Sequence, residues 1–165
     1  MATVTLKGNP CNTNGELPGK GDKAPAFKLT NSKMEDVELS AWSGRRKLIS
    51  IFPSVDTAVC ALSTKKFNDY ARDHADCSML MVSADLPMAQ ARFCGAEDLE
   101  NVQTLSTFRS SFAADYGVEL SDGPLAGLAA RAVLVVDEND KVVHVELVGE
   151  IADEPDYEAA IKALA

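Results

Sequence analysis

The amino-acid sequence predicts an α/β sandwich, and three observations support this fold class. Apolar runs typical of buried strands alternate along the chain with segments of helical periodicity. Two strand-like runs joined by a short polar turn lie near the C-terminus, and a helical segment follows them. The chain has 165 residues, of which 46% are hydrophobic and 25% charged, as in water-soluble globular proteins. We therefore expect residues 1–165 to form a single domain.

The first third of the chain is predicted to be mainly β. Residues 3–20 alternate loosely and are broken by glycine and proline, so they predict an N-terminal hairpin at the edge of the fold. Short β-like runs follow at Phe27–Leu29 and Val37–Leu39. The more apolar run Leu48–Phe52 ends at Pro53, as a buried parallel strand would, and is expected to be central in the sheet.

Helices and strands alternate through the rest of the chain. From about Thr57 to His74 the pattern is helical, with Asp56 or Thr57 as the N-cap. The later predicted elements are a strand at Ser78–Val82, a helix at Met88–Cys94 stopped by Gly95, a strand at Val102–Leu105, a helix at Phe112–Tyr116, strands at Ala132–Val136 and Val142–Leu147, and a helix at Pro155–Leu164. This order of elements is typical of a thioredoxin-like α/β sandwich.

The charge balance argues against several classes of partner. Asp and Glu number 25 against 16 Lys and Arg, which gives a formal net charge of -9. Such a chain repels phosphate backbones and anionic membrane surfaces, so neither nucleic acid nor a membrane is expected as a partner. The first residues do not resemble a secretion signal, and no apolar run approaches the roughly 18 residues that span a bilayer. We expect a cytoplasmic protein.

Function is expected at the four cysteines, Cys11, Cys60, Cys77 and Cys94. In a reducing compartment paired thiols are more often catalytic, redox-sensing or metal-binding than structural. Cys60 is predicted to lie near the start of a helix, where free N–H groups and the helix dipole favour a thiolate. The nearby Asp56 opposes this effect, so a cation from elsewhere in the chain is needed. The alternative is that Cys60 is a small apolar residue packed beneath the helix.

Other uses of the cysteines fit the spacing less well. The chain has no Cys-x-x-Cys or Cys-x-x-His motif and only two histidines, His74 and His144, which disfavours a structural zinc site. Thr57 stands where a dithiol oxidoreductase would have its first cysteine. A Cys-His hydrolase would need an imidazole near Cys60, whereas His74 lies toward the far end of the same helix and His144 lies in a β-like run.

Two motifs resemble the peroxiredoxin family. Pro53–Cys60 fits the signature Pro-x-x-x-Thr-x-x-Cys, and Ser83–Cys94 is similar to the resolving-cysteine motif of bacterial thiol peroxidases, the atypical two-cysteine subgroup. The blocks Gly8–Pro10, Thr104–Arg109, Asp122–Ala132 and Glu154–Tyr157 resemble the same subgroup. The resemblance therefore covers nearly the whole chain and implies a thioredoxin-like sandwich of the peroxiredoxin type with an N-terminal β-hairpin.

The resemblance also implies roles for individual residues. Cys60 would attack the peroxide and become a sulfenic acid, and Cys94 would resolve it as an intrachain disulfide. Arg131 would hold the thiolate and donate hydrogen bonds to the peroxide oxygens. Thr57 would direct its hydroxyl at the sulfur and the peroxide, and Pro53 would shield the pocket from water. Without the motif, Arg131 would be an exposed arginine at a strand start, Thr57 a helix cap and Pro53 a strand terminator.

The implied activity is the reduction of hydrogen peroxide and organic hydroperoxides, with thioredoxin as the reductant, in a homodimer that needs no cofactor or metal. The alternative is a thiol-based redox sensor or binding protein that uses the same cysteines as a switch. A fold relative with an unreactive Cys60 is a third possibility. Because a disulfide needs Cα atoms within about 7 Å, and both cysteines lie in predicted helices, we expect local unfolding around each during the cycle.

Three positions are not explained by the resemblance. Met88 stands where the subgroup motif has phenylalanine, so packing beside the resolving segment and the fit of bulky hydroperoxides are expected to differ. Cys11 and Cys77 match no functional position of the family and are interpreted as spare thiols.

Overall fold

The computed structural model describes residues 1–165, and its centre is a seven-stranded mixed sheet. The strands are β1 (Thr3–Leu6), β2 (Asn9–Asn12), β3 (Lys28–Thr30), β4 (Asp36–Glu38), β5 (Arg46–Ile51), β6 (Cys77–Ser83), β7 (Gln103–Ser106), β8 (Ala132–Val136) and β9 (Val142–Leu147). The helices are α1 (Ala58–Arg72), α2 (Pro87–Ala96), α3 (Phe112–Asp115) and α4 (Tyr157–Leu164). The strands of the main sheet are ordered β4-β3-β7-β6-β5-β8-β9.

The main sheet is covered on both faces. Strands β5, β6 and β7 are mutually parallel, and β8 pairs antiparallel with β5. Because successive side chains of a strand point to opposite faces, Leu48 and Ile49 enter different apolar cores. Helices α1 and α4 pack on the face of Leu48, and α3 packs on the face of Ile49. This confirms the predicted thioredoxin-like sandwich. The predicted central strand, β5, is paired on both sides, although β6 holds the middle position.

The predicted N-terminal hairpin is present, but it is shorter than expected. It ends at Asn12, whereas the prediction extended to residue 20, and it forms a separate two-stranded sheet. Lys7 and Gly8 make its turn, with φ of 51° and 84°, as tight hairpin turns require. The Thr5 N–H donates to the Gly149 carbonyl at 2.8 Å, so the hairpin is attached to the segment that follows β9.

The helices differ from the predictions in several places. Helix α2 continues through Gly95 to Ala96, because a glycine in a last turn can keep helical dihedrals and need not end the helix. Helix α4 begins at Tyr157, not at Pro155, because the Asp156 carboxylate accepts the Ala159 N–H at 3.1 Å and caps it. A 3-10 helix at Leu39–Trp42 was not predicted. None of the helices is both long and apolar enough to cross a membrane.

Candidate active site

Cys60 and Arg131 meet at the edge of the sheet where β5 ends and β8 begins. After β5 the chain passes through Pro53 and enters α1. The antiparallel pairing of Ile51 with Ala132 places Arg131, the residue before β8, beside this loop. Arg131 Nη1 lies 3.2 Å from Cys60 Sγ. Both side chains are buried, with 3% and 1% of their surface exposed, respectively.

The environment of Arg131 favours an anionic sulfur. Its Nε donates to the Ile151 carbonyl at 2.8 Å, and no carboxylate lies within salt-bridge distance of the guanidinium. A buried cation without a counter-charge is costly, and a Cys60 thiolate would supply that charge. Cys60 is also the third residue of α1, near the positive end of the helix dipole. Asp56, expected to oppose the thiolate, is exposed to solvent, which screens its charge.

Thr57 and Pro53 lie in the loop that leads to Cys60. Thr57 is the N-cap residue of α1 by position, but its side chain makes no capping hydrogen bond. Its hydroxyl donates instead to the Ser54 carbonyl at 3.1 Å, a local bond that competes with capping. Pro53 is buried and follows the end of β5. The prediction that Asp56 or Thr57 is the N-cap is therefore confirmed for the position of Thr57, although its side chain makes no capping hydrogen bond.

Polar side chains next to the site were not identified as functional from the sequence. Ser63, one turn after Cys60, is 3% exposed, and its Oγ lies 2.9 Å from the Tyr157 hydroxyl. Tyr157 donates to Glu154 Oε1 at 2.8 Å. Burial raises the pKa of Tyr157 to about 12, so its hydroxyl remains a hydrogen-bond donor well into the alkaline range. Glu154–Tyr157 was matched only as a family block, because contacts between distant segments leave no periodic pattern in the sequence.

Cys94 lies apart from the Cys60–Arg131 contact. It is half-buried in the second half of α2 and lines a cleft of about 410 Å³ between α2, β7 and the β3–β4 turn. Burial raises the pKa of the Cys94 thiol. Cys60 lines none of the surface clefts. All four cysteines are free, so the structure has the dithiol form of the Cys60 and Cys94 pair.

The other two cysteines are buried elsewhere. Cys11 lies in β2 and is 3% exposed, and Cys77 begins β6 and is 8% exposed. Burial raises the pKa of both thiols. The Cys77 thiol donates to the His74 carbonyl at 3.3 Å. No group of three or more His, Cys, Asp or Glu side chains is arranged to hold a metal ion.

A thioredoxin-like sandwich with a cysteine at the start of the helix after an inner strand defines a class of thiol-dependent redox proteins. The profile of the family described as Redoxin matches residues 19–161. A thiol peroxidase of Mycobacterium tuberculosis is 52% identical over 164 residues, 99% of this chain and 99% of the relative.

Solved structures of similar fold belong to the same class of proteins. A peroxiredoxin-like protein from Aquifex aeolicus superposes with a TM-score of 0.93 at 38% identity, covering 99% of this chain and 96% of that one. A thiol peroxidase from Chromobacterium violaceum gives 0.90 at 27% identity, covering 98% and 94%. The chain therefore belongs to the Redoxin family and, within it, to the peroxiredoxins of the thiol peroxidase type.

Proposed function

We propose that this chain is a thiol peroxidase that reduces hydrogen peroxide and organic hydroperoxides to water or alcohols. The observation that carries this proposal is the 3.2 Å contact between Arg131 Nη1 and Cys60 Sγ, in a buried site where the guanidinium has no carboxylate partner. This pair holds a nucleophilic sulfur beside N–H donors that can bind peroxide oxygens. The full-length relatives named thiol peroxidase support the same activity.

The first chemical step oxidises Cys60. The thiolate attacks one peroxide oxygen, so that an S–O bond forms and the O–O bond breaks. The leaving oxygen departs with the bonding electron pair and takes up a proton, which yields water or an alcohol. The sulfur loses two electrons and becomes a sulfenic acid. In this step Arg131 stabilises the charge on the leaving oxygen, Thr57 orients the peroxide with its hydroxyl, and Pro53 limits the access of water.

The second step forms a disulfide. The Cys94 thiol, after loss of its proton, attacks the sulfur of the Cys60 sulfenic acid and displaces water. Thioredoxin then reduces the disulfide by exchange of its own two thiols, which restores both cysteines. Cys60 is 1% exposed and Cys94 lines a separate cleft, so at least one of the two segments has to move before the sulfur atoms can bond.

The proposal includes a homodimer in the cytoplasm. Leu62 in α1 and Met88 in α2 are large apolar side chains that are 45% and 59% exposed, and a second copy of the chain would shield such surface. A reducing compartment supports the thiol cycle, because Cys60 and Cys94 have to return to thiols. Sedimentation analysis of the reduced protein measures the dimer directly.

The deciding experiment is peptide-level mass spectrometry of the reduced protein after one equivalent of hydrogen peroxide. We expect Cys60 and Cys94 to be joined, with Cys11 and Cys77 left free. With thioredoxin, its reductase and NADPH, the protein should consume many equivalents of peroxide. Cys60→Ser should abolish this turnover, and Cys77→Ser should preserve it. Oxidation that stops after one equivalent would favour the sensor alternative, and a Cys60 that fails to react would refute the peroxidase.

A further inference from the structure

Asp85 links the two segments that carry the reactive cysteines. It lies between the end of β6 and the start of α2, and its carboxylate reaches the loop that precedes Cys60. Oδ1 accepts the Ser54 hydroxyl at 2.7 Å, and Oδ2 accepts the Val55 N–H at 2.9 Å. The two loops can meet because β5 and β6 are parallel and end side by side, with Ile51 opposite Val82.

The same carboxylate is linked to α2 through the hydroxyl of Ser83, the last residue of β6. The Ser83 hydroxyl donates to Asp85 Oδ2 at 2.6 Å and accepts from Gln90 Nε2 at 3.0 Å. Gln90 also donates to the Leu105 carbonyl at 3.0 Å. We call Ser54, Val55, Ser83, Asp85 and Gln90 the Asp85 network. It runs from the Cys60 loop to a residue one helical turn before Cys94.

Apolar packing contributes little to the attachment of α2. Of its ten residues only Pro87 and Gln90 are buried, Leu86 and Met88 at its start are more than half exposed, and the half-buried Phe93 is its main apolar contact with the core on the face of Leu48. A helix that buries so little surface opens at low free-energy cost. The Gln90 Oε1 atom is buried without a hydrogen-bond partner, so the network is not fully satisfied even when closed. The position of α2 therefore depends on the polar contacts of Asp85 and Gln90 together with the packing of Phe93.

We propose that Asp85 is a positioning residue that holds the Cys60 loop and helix α2 closed together, so that the two segments open as one unit. In the closed state, the network keeps Cys60 in contact with Arg131, where Cys60 can react with peroxide. In the open state, both segments are free to move, so that Cys60 and Cys94 can form a disulfide. The catalytic consequence rests on the proposed function, whereas the structural coupling does not.

Amide hydrogen exchange of the reduced protein, without peroxide, tests the coupling. In Asp85→Ala we expect exchange to rise about tenfold in both 53–60 and 86–96, since a charged acceptor of several bonds is lost. The core strands β5 and β8 should be unchanged. Asp85 adjoins α2 and is itself the acceptor of the Val55 N–H, so the informative readout is the amides of Asp56–Cys60, to which it makes no hydrogen bond. A rise confined to 86–96 would overturn the proposal.

Two milder variants distinguish coupled opening of the two segments from general misfolding of Asp85→Ala. Asp85→Asn keeps an oxygen that can accept the Val55 N–H, so it should retain most of the protection in both segments. Ser54→Ala removes a single hydroxyl from the loop, yet it should raise exchange in 86–96. Equal protection of 86–96 in Ser54→Ala and wild type would contradict the coupling. The matched control is Asp122→Ala, which removes a carboxylate bonded to the Asn12 N–H and side chain and should leave both segments unchanged.

Rapid-mixing kinetics test the catalytic consequence. After one equivalent of hydrogen peroxide, Asp85→Ala should form the Cys60–Cys94 disulfide about tenfold faster than wild type, without faster oxidation of Cys60. Slowing of both steps by the same factor would indicate a merely structural role and overturn the proposal. If the wild type forms no such disulfide, the proposed function fails, and the exchange experiment still decides whether Asp85 couples the segments.

Discussion

At the scale of the residue, Arg131 combines two contacts in one planar group. The Ile151 carbonyl fixes Nε, and this leaves Nη1 directed at Cys60. A lysine has a single nitrogen and cannot make both contacts from the same position. The geometry of the guanidinium, and not only its charge, therefore fixes the environment of the sulfur.

We expect Arg131→Lys to slow the reaction of Cys60 with hydrogen peroxide by about tenfold or more, through loss of a charge-assisted hydrogen bond. Competition against a peroxidase of known rate measures this. Arg45→Lys is the matched control, because Arg45 also donates to backbone carbonyls, those of Ala75 and Cys77. These carbonyls lie at the start of β6, at the edge of the sheet opposite to the candidate site. Equal rates for Arg131→Lys and wild type would show that the guanidinium of Arg131 does not contribute to the reaction of Cys60 with peroxide.

Tyr157→Phe should lower the free energy of unfolding by about 1 kcal/mol, because Ser63 loses its buried partner. The ring contact with Phe67 is kept, so the effect isolates the hydroxyl. Urea denaturation measures the loss, and Tyr70→Phe, in which the ring stacked on His74 remains, serves as the control. An unchanged unfolding midpoint for Tyr157→Phe would mean that water replaces the tyrosine hydroxyl at Ser63.

The residues that the sequence identified differ in kind from those that it missed. Cys60 and Arg131 were found through motifs, and their contact follows from strand pairing. Ser63 and Asp85 act through partners far away in sequence, and no local spacing marks such a partner. Asp85 was part of the block matched around Cys94, but its bonds to Ser54 and Val55 depend on where two loops leave the sheet.

At the scale of the element, strands were predicted more accurately than helix ends. Strands β8 and β9 have the predicted boundaries. Strand β8 is a continuous apolar run, β9 alternates apolar residues with His144 and Glu146, and the polar turn 137–141 separates them. Helix ends depend on capping, where several residues compete. Pro155 is a favourable first residue for a helix, but Asp156 supplies the side chain that accepts the Ala159 N–H, and the helix starts after the acceptor.

We expect Asp156→Ala to destabilise the protein by about 1 kcal/mol, the usual cost of losing an N-cap. Asp156→Ser should restore most of that loss, because a serine hydroxyl also accepts an N–H. Chemical denaturation of both variants makes the comparison. If the serine variant is as unstable as the alanine variant, capping is not the reason that α4 begins at Tyr157.

At the scale of the whole molecule, Glu150 connects the N-terminal hairpin to the segment that holds Arg131. Its carboxylate accepts the Gly8 N–H and the Thr5 hydroxyl through Oε1 and the Ala152 N–H through Oε2. These bonds, the Ala152 N–H foremost, lower the pKa of Glu150 to about 2. Ile151, the next residue, presents its carbonyl to Arg131. The hairpin therefore supports the candidate site indirectly.

Acid should destabilise the protein through this and similar carboxylates. Hydrogen bonds also lower the pKa of Asp36, Asp122 and Asp137. A carboxyl group whose pKa is lower in the folded state than in the unfolded state stabilises the fold. This stabilisation is complete above the unfolded-state pKa and is lost as the pH falls toward the folded-state pKa. We expect the urea midpoint to fall between about pH 5 and about pH 2, and to fall less in Glu150→Gln. Glu158→Gln is the control, and an identical pH dependence in Glu150→Gln would contradict the prediction.

The overall architecture was predictable because it depends on local periodicity and on the order of elements. The sheet order, with β7 placed between β3 and β6, was not predictable, because it depends on the face of the sheet on which each crossover packs. That the hairpin forms a separate sheet was not predicted either, because this also depends on contacts between distant segments. Its attachment depends on Thr5 and Gly149, which lie at opposite ends of the chain.

The unequal burial of the cysteines gives the protein a set of native reporters of motion. Cys11 and Cys77 are 3% and 8% exposed, and burial raises the pKa of both thiols, so an alkylating reagent reaches them only when the hairpin or the sheet separates. Cys94 is half-buried in a cleft and needs at most a shift of α2, and coupled opening of the Cys60 loop exposes Cys60 as well. Addition of two alkyl groups, at Cys60 and Cys94, therefore reports local opening, whereas addition of four reports loss of the entire fold, without any introduced label.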